Sequence, residues 1–294
     1  MNKNWMVSLH GGHSGEFCEH ATGQLRDILE AAVKAGFHTF GVSEHVPRFE
    51  ERFLYASERK KGFTIEMLRR NFDGYGKAIQ GLAEEFQDRL VVLRGFEIEV
   101  IPAENYAEIM CEYKKKYNFD YMVGSVHYVD EILIDGTPSE YKEAIEKAGT
   151  LEKLAIKYYE SVAEMVSELK PEVTAHFDII RRNAKGIGPV DTPKIRKRAE
   201  ETLSVVKETG SILDLNTKAY RRGFDYPYPA PWVVELAKKL DINFCFGDDS
   251  HSVDEVGAGF NEAKNYLLKH EINRIQILTR YDNEVVKKLI SIAS

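Results

Sequence analysis

Most histidines of this chain stand at or just after the end of a short apolar segment. The sequence has nine histidines, and only His38 and His270 lack this placement. Two acidic residues share it, Glu97 in RGFEIEV and Asp249 in FGDDSH. Imidazole and carboxylate groups together are ligands for Zn, Mn or Fe, and such groups gathered in one place predict a hydrolytic site with several metal ions. The seven histidines are His10, His13, His20, His45, His127, His176 and His251.

The first two of these histidines, in His10-Gly-Gly-His13, require a break in regular strand geometry. Side chains alternate along a strand, so residues three apart point to opposite faces. Gly11 and Gly12 can adopt backbone angles that are closed to other residues, and a bulge there would turn both rings to one side. Considered alone, the segment is equally consistent with a glycine-rich surface loop.

The elements that must position these residues alternate regularly along the chain. Short runs rich in Val, Ile, Phe and Leu are typical of strands buried on both faces. They are Trp5–His10, His38–Val42, Leu90–Val100, Tyr121–Tyr128, Glu172–Phe177, Ser211–Asn216 and Asn243–Gly247. Helical periodicity fills the gaps, at Leu25–Ala35, Ile65–Phe86, Ala103–Lys116, Leu151–Leu169, Lys194–Thr209 and Pro231–Leu240.

Strict alternation of strand and helix predicts parallel strands joined by right-handed crossovers. Seven repeats without a linker predict a distorted (β/α)7 TIM-like barrel, with residues 1–294 as a single domain. A doubly wound open sheet is the alternative. In barrels of this kind the functional site gathers at the carboxyl ends of the strands, which is where the histidines and acidic residues lie.

Composition excludes several classes of function. A net charge of -7 disfavours binding to nucleic acid polymers or anionic membranes. The sequence lacks a signal-peptide h-region and an apolar run of membrane-spanning length, so we expect a cytoplasmic protein. It also lacks the motifs of P-loop kinases, dinucleotide-binding folds, serine hydrolases and zincins. Nothing in the pattern indicates an oligomeric state.

Three widely spaced cysteines, Cys18, Cys111 and Cys245, give neither a disulfide framework nor a CxxC metal motif. Cys18 lies between His13 and His20, where it could contact a metal ion. A small buried thiol is the commoner state of cysteine, and we expect that state here.

The order of the motifs resembles that of the polymerase and histidinol phosphatase (PHP) family of metal-dependent phosphoesterases, over essentially the whole chain. Its histidinol-phosphate phosphatase branch is the most similar. The segments that carry the resemblance are HGGHSGEFCEHA, SEHVPR, GFEIEVIP, GSVHY, AHFDIIRR, LDLNT, YPYPAP and FGDDSH. One departure is that the family's first motif is usually H-x-H, whereas this chain has H-G-G-H and an extra residue before His20.

The resemblance implies a trinuclear site of divalent ions. By the family pattern, the first ion would be held by His10, His13, Glu97 and Asp249. Glu97 would bridge to a second ion, which His127 and His176 complete. The third ion would be held by His20, His45 and His251.

The resemblance also implies hydrolysis of a small phosphomonoester, most of all L-histidinol phosphate to L-histidinol and inorganic phosphate in histidine biosynthesis. Metal coordination lowers the pKa of water from about 15.7 towards about 7. We expect a metal-bridging hydroxide to attack phosphorus in line, with Glu97, Asp249 and His251 as the catalytic residues and no covalent phosphoenzyme.

A phosphate group also requires cationic contacts, and arginine supplies planar bidentate ones. Our first candidate is Arg181 in AHFDIIRR. Lys218 and Arg221 in NTKAYRRG follow, with the neighbouring Arg222 and with Arg48 after His45. A solvated basic loop is the alternative for each of them.

Three other functions compete with this hypothesis. A PHP phosphoesterase could act on nucleotides or another phosphorylated metabolite. An amidohydrolase-type deaminase shares the barrel and the ligand types, and would release ammonia rather than phosphate. The last alternative is a non-catalytic metal-binding protein.

Overall fold

Seven short parallel strands form a closed barrel at the centre of the protein. The structure is a computed structural model that describes residues 4–282 and 284–293. Its strands are β1 (Val7–Ser8), β2 (Thr39–His45), β3 (Val91–Glu97), β4 (Tyr121–Gly124), β5 (Tyr128–Val129), β6 (Ile132–Leu133), β7 (Val173–Thr174), β8 (Ile212–Asn216), β9 (Phe244–Gly247), β10 (Arg274–Tyr281) and β11 (Glu284–Ser291). The barrel order is β1-β2-β3-β4-β7-β8-β9, with every neighbouring pair parallel.

Helices occupy the connections between the barrel strands. They are α1 (Leu25–Ala35), α2 (Ala56–Lys61), α3 (Ile65–Phe86), α4 (Tyr106–Lys116), α5 (Pro138–Ala148), α6 (Leu151–Leu169), α7 (Pro193–Thr209), α8 (Lys218–Arg221), α9 (Pro231–Lys239) and α10 (Phe260–Lys269). The long helices are amphipathic, and their apolar stripes join the barrel strands in one hydrophobic core. Among the described residues, no helix combines the length and the apolar composition that crossing a membrane requires.

The closed ring confirms the predicted (β/α)7 barrel, and the alternative of an open sheet is wrong. All seven predicted strands are present, although several are shorter than expected. The fourth ends at Gly124 because the chain leaves the barrel there and forms the small β5–β6 hairpin. Helices α2, α5, α8 and α10 and the carboxyl-terminal β10–β11 hairpin were not predicted.

A tyrosine fills the inside of the barrel where two strands carry glycine. Tyr121 of β4 is fully buried, and its ring lies against Gly41 of β2 and Gly95 of β3. A Cβ atom at Gly41 would meet the Tyr121 hydroxyl at 2.2 Å, and one at Gly95 would meet its ring at 2.3 Å. The glycines therefore leave the space that a large interior side chain needs in a close-packed barrel.

Candidate metal centre

The nine residues predicted as metal ligands lie together at the carboxyl ends of the barrel strands. We call six of them the deep cluster: His10, His13, Glu97, His127, His176 and Asp249. We define the rim cluster as His20, His45 and His251 together with Cys18. Within each group, side-chain nitrogen, oxygen or sulfur atoms approach closely enough to share ions. Their roles as ligands remain predictions.

Glu97, the last residue of β3, stands at the centre of the deep cluster. Its Oε1 is 3.1 Å from His176 Nε2 and 3.5 Å from His127 Nε2. Its Oε2 is 3.4 Å from His10 Nε2 and 3.6 Å from His13 Nε2. Oε2 is also 2.9 Å from His45 Nδ1. The two carboxylate oxygens thus face different sets of imidazoles, which is the arrangement that a carboxylate bridging two ions needs.

The His10–His13 segment contains the backbone break that its glycines predict. Gly11 has φ 150° and Gly12 has φ 77°, and the second value is in the left-handed region. A Cβ atom on Gly11 would lie 2.0 Å from Asp248 Oδ1. The turn brings His13 Nε2 to 3.7 Å from Asp249 Oδ1, so the H-G-G-H spacing still delivers both rings to the deep cluster.

The donor atoms of the deep cluster fit a divalent cation. His10 Nε2, His13 Nε2 and Glu97 Oε2 are buried and have no hydrogen-bond partner among the described residues. Buried polar atoms are normally paired, because leaving one unpaired costs about 1–3 kcal/mol. An ion coordinated by these three atoms would satisfy all of them at once.

The electrostatic environment also favours a cation. Burial opposes ionisation of Glu97, but His45 and His10 outweigh it and hold the pKa of Glu97 well below its usual range. Burial likewise opposes ionisation of Asp249, and Lys218 and His10 outweigh it, so its pKa is also well below the usual range.

One histidine of the deep cluster, His13, and one of the rim cluster, His251, stay neutral. Burial, reinforced by His45, lowers the pKa of His13 well below its usual value. Burial, reinforced by Lys218, has the same effect on the pKa of His251. Neutral imidazole is the form that binds metal ions.

Two carboxylates that sequence reasoning did not assign hold deep-cluster histidines in place. Asp214 Oδ2 is 2.8 Å from His10 Nδ1, and Glu99 Oε2 is 2.7 Å from His127 Nδ1. Such partners fix the ring orientation and raise the basicity of the coordinating nitrogen. Gly247 makes room for Asp214, since a Cβ atom there would lie 2.4 Å from Asp214 Oδ1. The alternation of polar and apolar residues in LDLN was the available signal for Asp214.

A cavity of ≈ 340 Å³ opens above both clusters. Its size is that of a small-molecule site. Three cationic side chains line it, namely Lys218, Arg182 and Arg222, as does the carboxylate of Asp135. Asp135 forms an ion pair of 2.7 Å with Arg182. Burial opposes ionisation of Asp135, but His127 and Arg182 outweigh it and lower its pKa.

Three of the five predicted phosphate contacts lie outside the cavity lining, whereas Lys218 and Arg222 are part of it. Arg181 is buried against the rings of Phe224 and Tyr228 and pairs with Asp178 at 3.0 Å. Its neighbour Arg182 reaches the cavity instead, and sequence reasoning missed it. Adjacent side chains point in different directions, so the sequence could not show which of the two arginines faces the cavity.

After β8 two adjacent arginines, both of them predicted candidates, also differ in where they point. Arg221 donates hydrogen bonds to the carbonyl oxygens of Asp248 and Asp249, at 2.6 and 3.0 Å, and Arg222 lines the cavity. Arg48 pairs with Glu58 at 2.8 Å and stacks on Tyr55. Both Arg221 and Arg48 therefore support the walls of the site. Lys218 does reach the cavity, with its Nζ 2.9 Å from Asp249 Oδ1.

Known proteins resemble this chain over nearly its whole length. Residues 10–218 match the family model described as the PHP domain. A probable histidinol-phosphatase of Schizosaccharomyces pombe is 33% identical over 282 residues, covering 93% of this chain and 90% of its own. The histidinol-phosphatase of Saccharomyces cerevisiae is 29% identical over 294 residues, and the match covers 88% of this chain and 87% of the yeast protein. Among solved structures, the histidinol phosphate phosphatase of Lactococcus lactis has a TM-score of 0.71 at 18% identity. The match covers 96% of this chain and 99% of that protein, which was crystallised with zinc, L-histidinol and phosphate.

Proposed function

The chain belongs to the PHP domain family, in its histidinol-phosphatase branch, and from that premise we propose that it hydrolyses L-histidinol phosphate to L-histidinol and inorganic phosphate. This step would serve histidine biosynthesis. The observation that carries the proposal is the Glu97-centred cluster of metal-ligand side chains beneath a cavity lined by cations. We also propose that residues 1–294 act as one domain, since Ile275 and Leu278 of the carboxyl-terminal hairpin pack in the main core.

We propose that the deep cluster holds two divalent ions and the rim cluster a third. Zn²⁺ is our first choice, because imidazole and carboxylate donors suit it and the Lactococcus lactis protein was crystallised with zinc. Bound ions would supply a water of lowered pKa and positive charge for the phosphate oxygens. Glu97 and Asp249 would hold the ions of the deep cluster, and His251 would hold the ion of the rim cluster.

The phosphate group would be oriented by the three cations of the cavity. Lys218 Nζ stands 2.9 Å from Asp249 Oδ1 and 3.3 Å from His251 Nε2, beside both clusters. Arg182 and Arg222 lie on the cavity wall. Their guanidinium groups suit bidentate contacts with phosphate oxygens and would neutralise its charge.

The other end of the substrate carries an amine, and Asp135 is placed to accept it. Asp135 is the carboxylate beside Arg182 on the cavity wall, and its lowered pKa keeps it ionised at neutral pH. A cavity that contains both cationic side chains and a carboxylate would suit a zwitterionic phosphomonoester better than a simple sugar phosphate or a nucleotide.

A panel of substrates tests this function. Metal-loaded protein should release phosphate from L-histidinol phosphate with a kcat/KM at least about 100-fold above that for nucleoside monophosphates and sugar phosphates, because a site built for polar groups rejects analogues that lack them. Glu97→Gln protein prepared in the same way is the control for contaminating phosphatases. Equal rates across the panel, or release of ammonia instead of phosphate, would refute the proposal.

Two cavity variants test how the substrate is held. Arg222 is exposed, so Arg222→Ala should fold normally and raise KM about tenfold, given that a charged hydrogen bond contributes about 1.5–3 kcal/mol. Arg26→Ala, at an exposed position outside the cavity lining, is the matched control.

Asp135→Asn should raise KM for L-histidinol phosphate but leave KM for an amine-free phosphomonoester nearly unchanged. A rise for both substrates would exclude amine recognition by Asp135.

A further inference from the structure

Cys18 lies among the three histidines of the rim cluster. One donor atom from each of Cys18, His20, His45 and His251 lies within 4.8 Å of the other three. The Cys18 Sγ is 3.4 Å from His20 Nδ1 and 3.5 Å from His20 Nε2. His251 Nε2 is 3.2 Å from His20 Nε2 and 3.4 Å from His45 Nε2. The four donors thus surround one small volume.

These separations match the edges of a tetrahedral zinc site. With Zn–N bonds of about 2.0 Å and a Zn–S bond of about 2.3 Å, ideal tetrahedral angles put nitrogens about 3.3 Å apart and sulfur about 3.5 Å from each nitrogen. The observed nitrogen pairs are 3.2 and 3.4 Å apart, and the sulfur–nitrogen distance to His20 Nε2 is 3.5 Å. These three separations match edges of such a tetrahedron, and all four donors lie within 4.8 Å of one another.

The surroundings of Cys18 differ from those of an ordinary buried cysteine. Cys245 is fully buried and packs in the main hydrophobic core, whereas Cys18 belongs to neither apolar cluster of the described residues. The neighbours of Cys18 Sγ are imidazole groups instead. The thiol is nevertheless only 6% exposed, so it is enclosed without being part of the apolar core.

The backbone holds Cys18 in this position. Its N–H donates to the carbonyl oxygen of Ser14 at 2.8 Å, and the N–H and hydroxyl of Ser14 both donate to Glu44 Oε1 at 2.7 Å. Further along, the N–H of Thr22 donates to the carbonyl oxygen of His251 at 2.8 Å. The loop that carries Cys18 and His20 is thereby fastened to both β2 and the end of β9.

We propose that the Cys18 thiolate is the fourth protein ligand of the ion that His20, His45 and His251 hold. As the metal–sulfur bond forms, the thiol proton leaves to solvent. A thiolate makes the site softer, so the rim cluster prefers Zn²⁺ or Co²⁺ over Mn²⁺. Four protein donors also close the coordination shell, which is typical of ions with a structural or positioning role. This inference rests on the proposed metal-dependent function.

Cobalt spectroscopy tests the inference directly. Wild-type protein reconstituted with Co²⁺ should show a thiolate-to-cobalt charge-transfer band in the near ultraviolet, and Cys18→Ala should lack it. Cys245→Ala is the matched control, because it removes a buried thiol that lies outside the clusters, and it should keep the band. Cys18→Ala should also bind one of the ions at least about tenfold more weakly, since even indirect ligand partners contribute 10–100-fold to metal affinity.

Alkylation of the wild-type protein provides a measurement that requires no variant. Bound Zn²⁺ should protect Cys18 from iodoacetamide during slow opening of the loop, while the exposed Cys111 reacts equally with and without metal. Any of three results would overturn the inference. They are a wild-type cobalt protein without the band, a band that survives in Cys18→Ala, and labelling of Cys18 that is unaffected by metal. A protein with the band but no activity on L-histidinol phosphate would refute only the proposed function.

Discussion

The deep cluster and the rim cluster are built from similar side chains but are supported differently. In the deep cluster, His10 and His127 each have a dedicated carboxylate, Asp214 and Glu99, on the ring nitrogen that faces away from Glu97. In the rim cluster, His45 at the end of β2 has its Nδ1 2.9 Å from Glu97 Oε2, but His251 Nδ1 faces a backbone carbonyl oxygen at 2.9 Å and His20 is exposed. The barrel strands therefore preorganise the deep cluster and His45, whereas the Cys18–His20 side of the rim cluster depends on how a loop packs over it.

The largest difference between the clusters should come from Glu97→Gln. The amide cannot provide two anionic oxygens, so both ions of the deep cluster should be lost while the rim ion remains. We expect turnover to fall by about a thousandfold or more, because metal ions contribute several kcal/mol to such reactions. Elemental analysis and kcat measured on the same sample check this. Unchanged metal content and turnover would remove Glu97 from the bridging role.

Removing a rim ligand should have a smaller effect. His20→Ala protein should bind one ion fewer than the wild type. Its kcat should fall on the order of 10²-fold, similar to the loss of one electrostatic contact in other active sites. Because His20 is exposed, the variant should unfold at the same denaturant concentration as the wild type once metal is removed from both. Loss of two or three ions would mean that the clusters bind metal cooperatively and that the distinction between them is wrong.

Substitutions of the supporting carboxylates should distinguish the two ions of the deep cluster. Asp214→Asn should weaken the ion next to His10, and Glu99→Gln the ion next to His127, each by about 10–100-fold in affinity. Asp249→Asn should weaken the same ion as Asp214→Asn. Metal titrations of the three variants check which ion each carboxylate supports. Identical titration curves for Asp214→Asn and Glu99→Gln would contradict the assignment of the two residues to different ions.

The smallest effect should come from Glu44, whose Oε2 lies 3.7 Å from His13 Nδ1 in the deep cluster. Its Oε1 accepts the hydrogen bonds from Ser14 that hold the loop of Cys18. Burial raises the pKa of Glu44 to about 8. Its pKa in the unfolded chain is about 4.3, so the folded protein binds the proton more tightly and loses stability as pH rises from about 4 to about 8.

In metal-free protein we therefore expect the free energy of unfolding to be lower at pH 9 than at pH 6 by on the order of a few kcal/mol, so that urea unfolds the protein at a lower concentration at pH 9. Glu44→Gln has no carboxyl group to titrate and should reduce this difference. Equal losses of stability in the wild type and the variant would show that other groups cause the pH dependence.

Much of the barrel could be predicted from the sequence because each of its elements carries a local signal. Helices α1, α3 and α6 begin and end at the predicted residues. Their apolar period and capping residues, such as Thr150 before α6, act over a few residues only. The β10–β11 hairpin was missed because its outer strand is largely exposed and lacks the apolar run of a buried strand.

The orientation of the arginines could not be predicted in the same way. Arg181 and Arg182 have the same chemistry and follow the same strand. Arg181 packs against Phe224 and Tyr228, whereas Arg182 pairs with Asp135 on the cavity wall. The loops after the strands have no fixed side-chain period, so sequence spacing gives the neighbourhood of a residue and not its direction. Arg221 and Arg222 repeat the same ambiguity.

By itself the sequence determined which residue types would meet and at which end of the barrel, because parallel strands bring their carboxyl ends to one mouth. The tertiary structure alone decided which carboxylates support which imidazoles, which cations face the cavity, and that Cys18 stands with the histidines of the rim cluster. Those contacts join residues such as His10 and Asp214, 204 positions apart, and their distances depend on how the whole barrel packs.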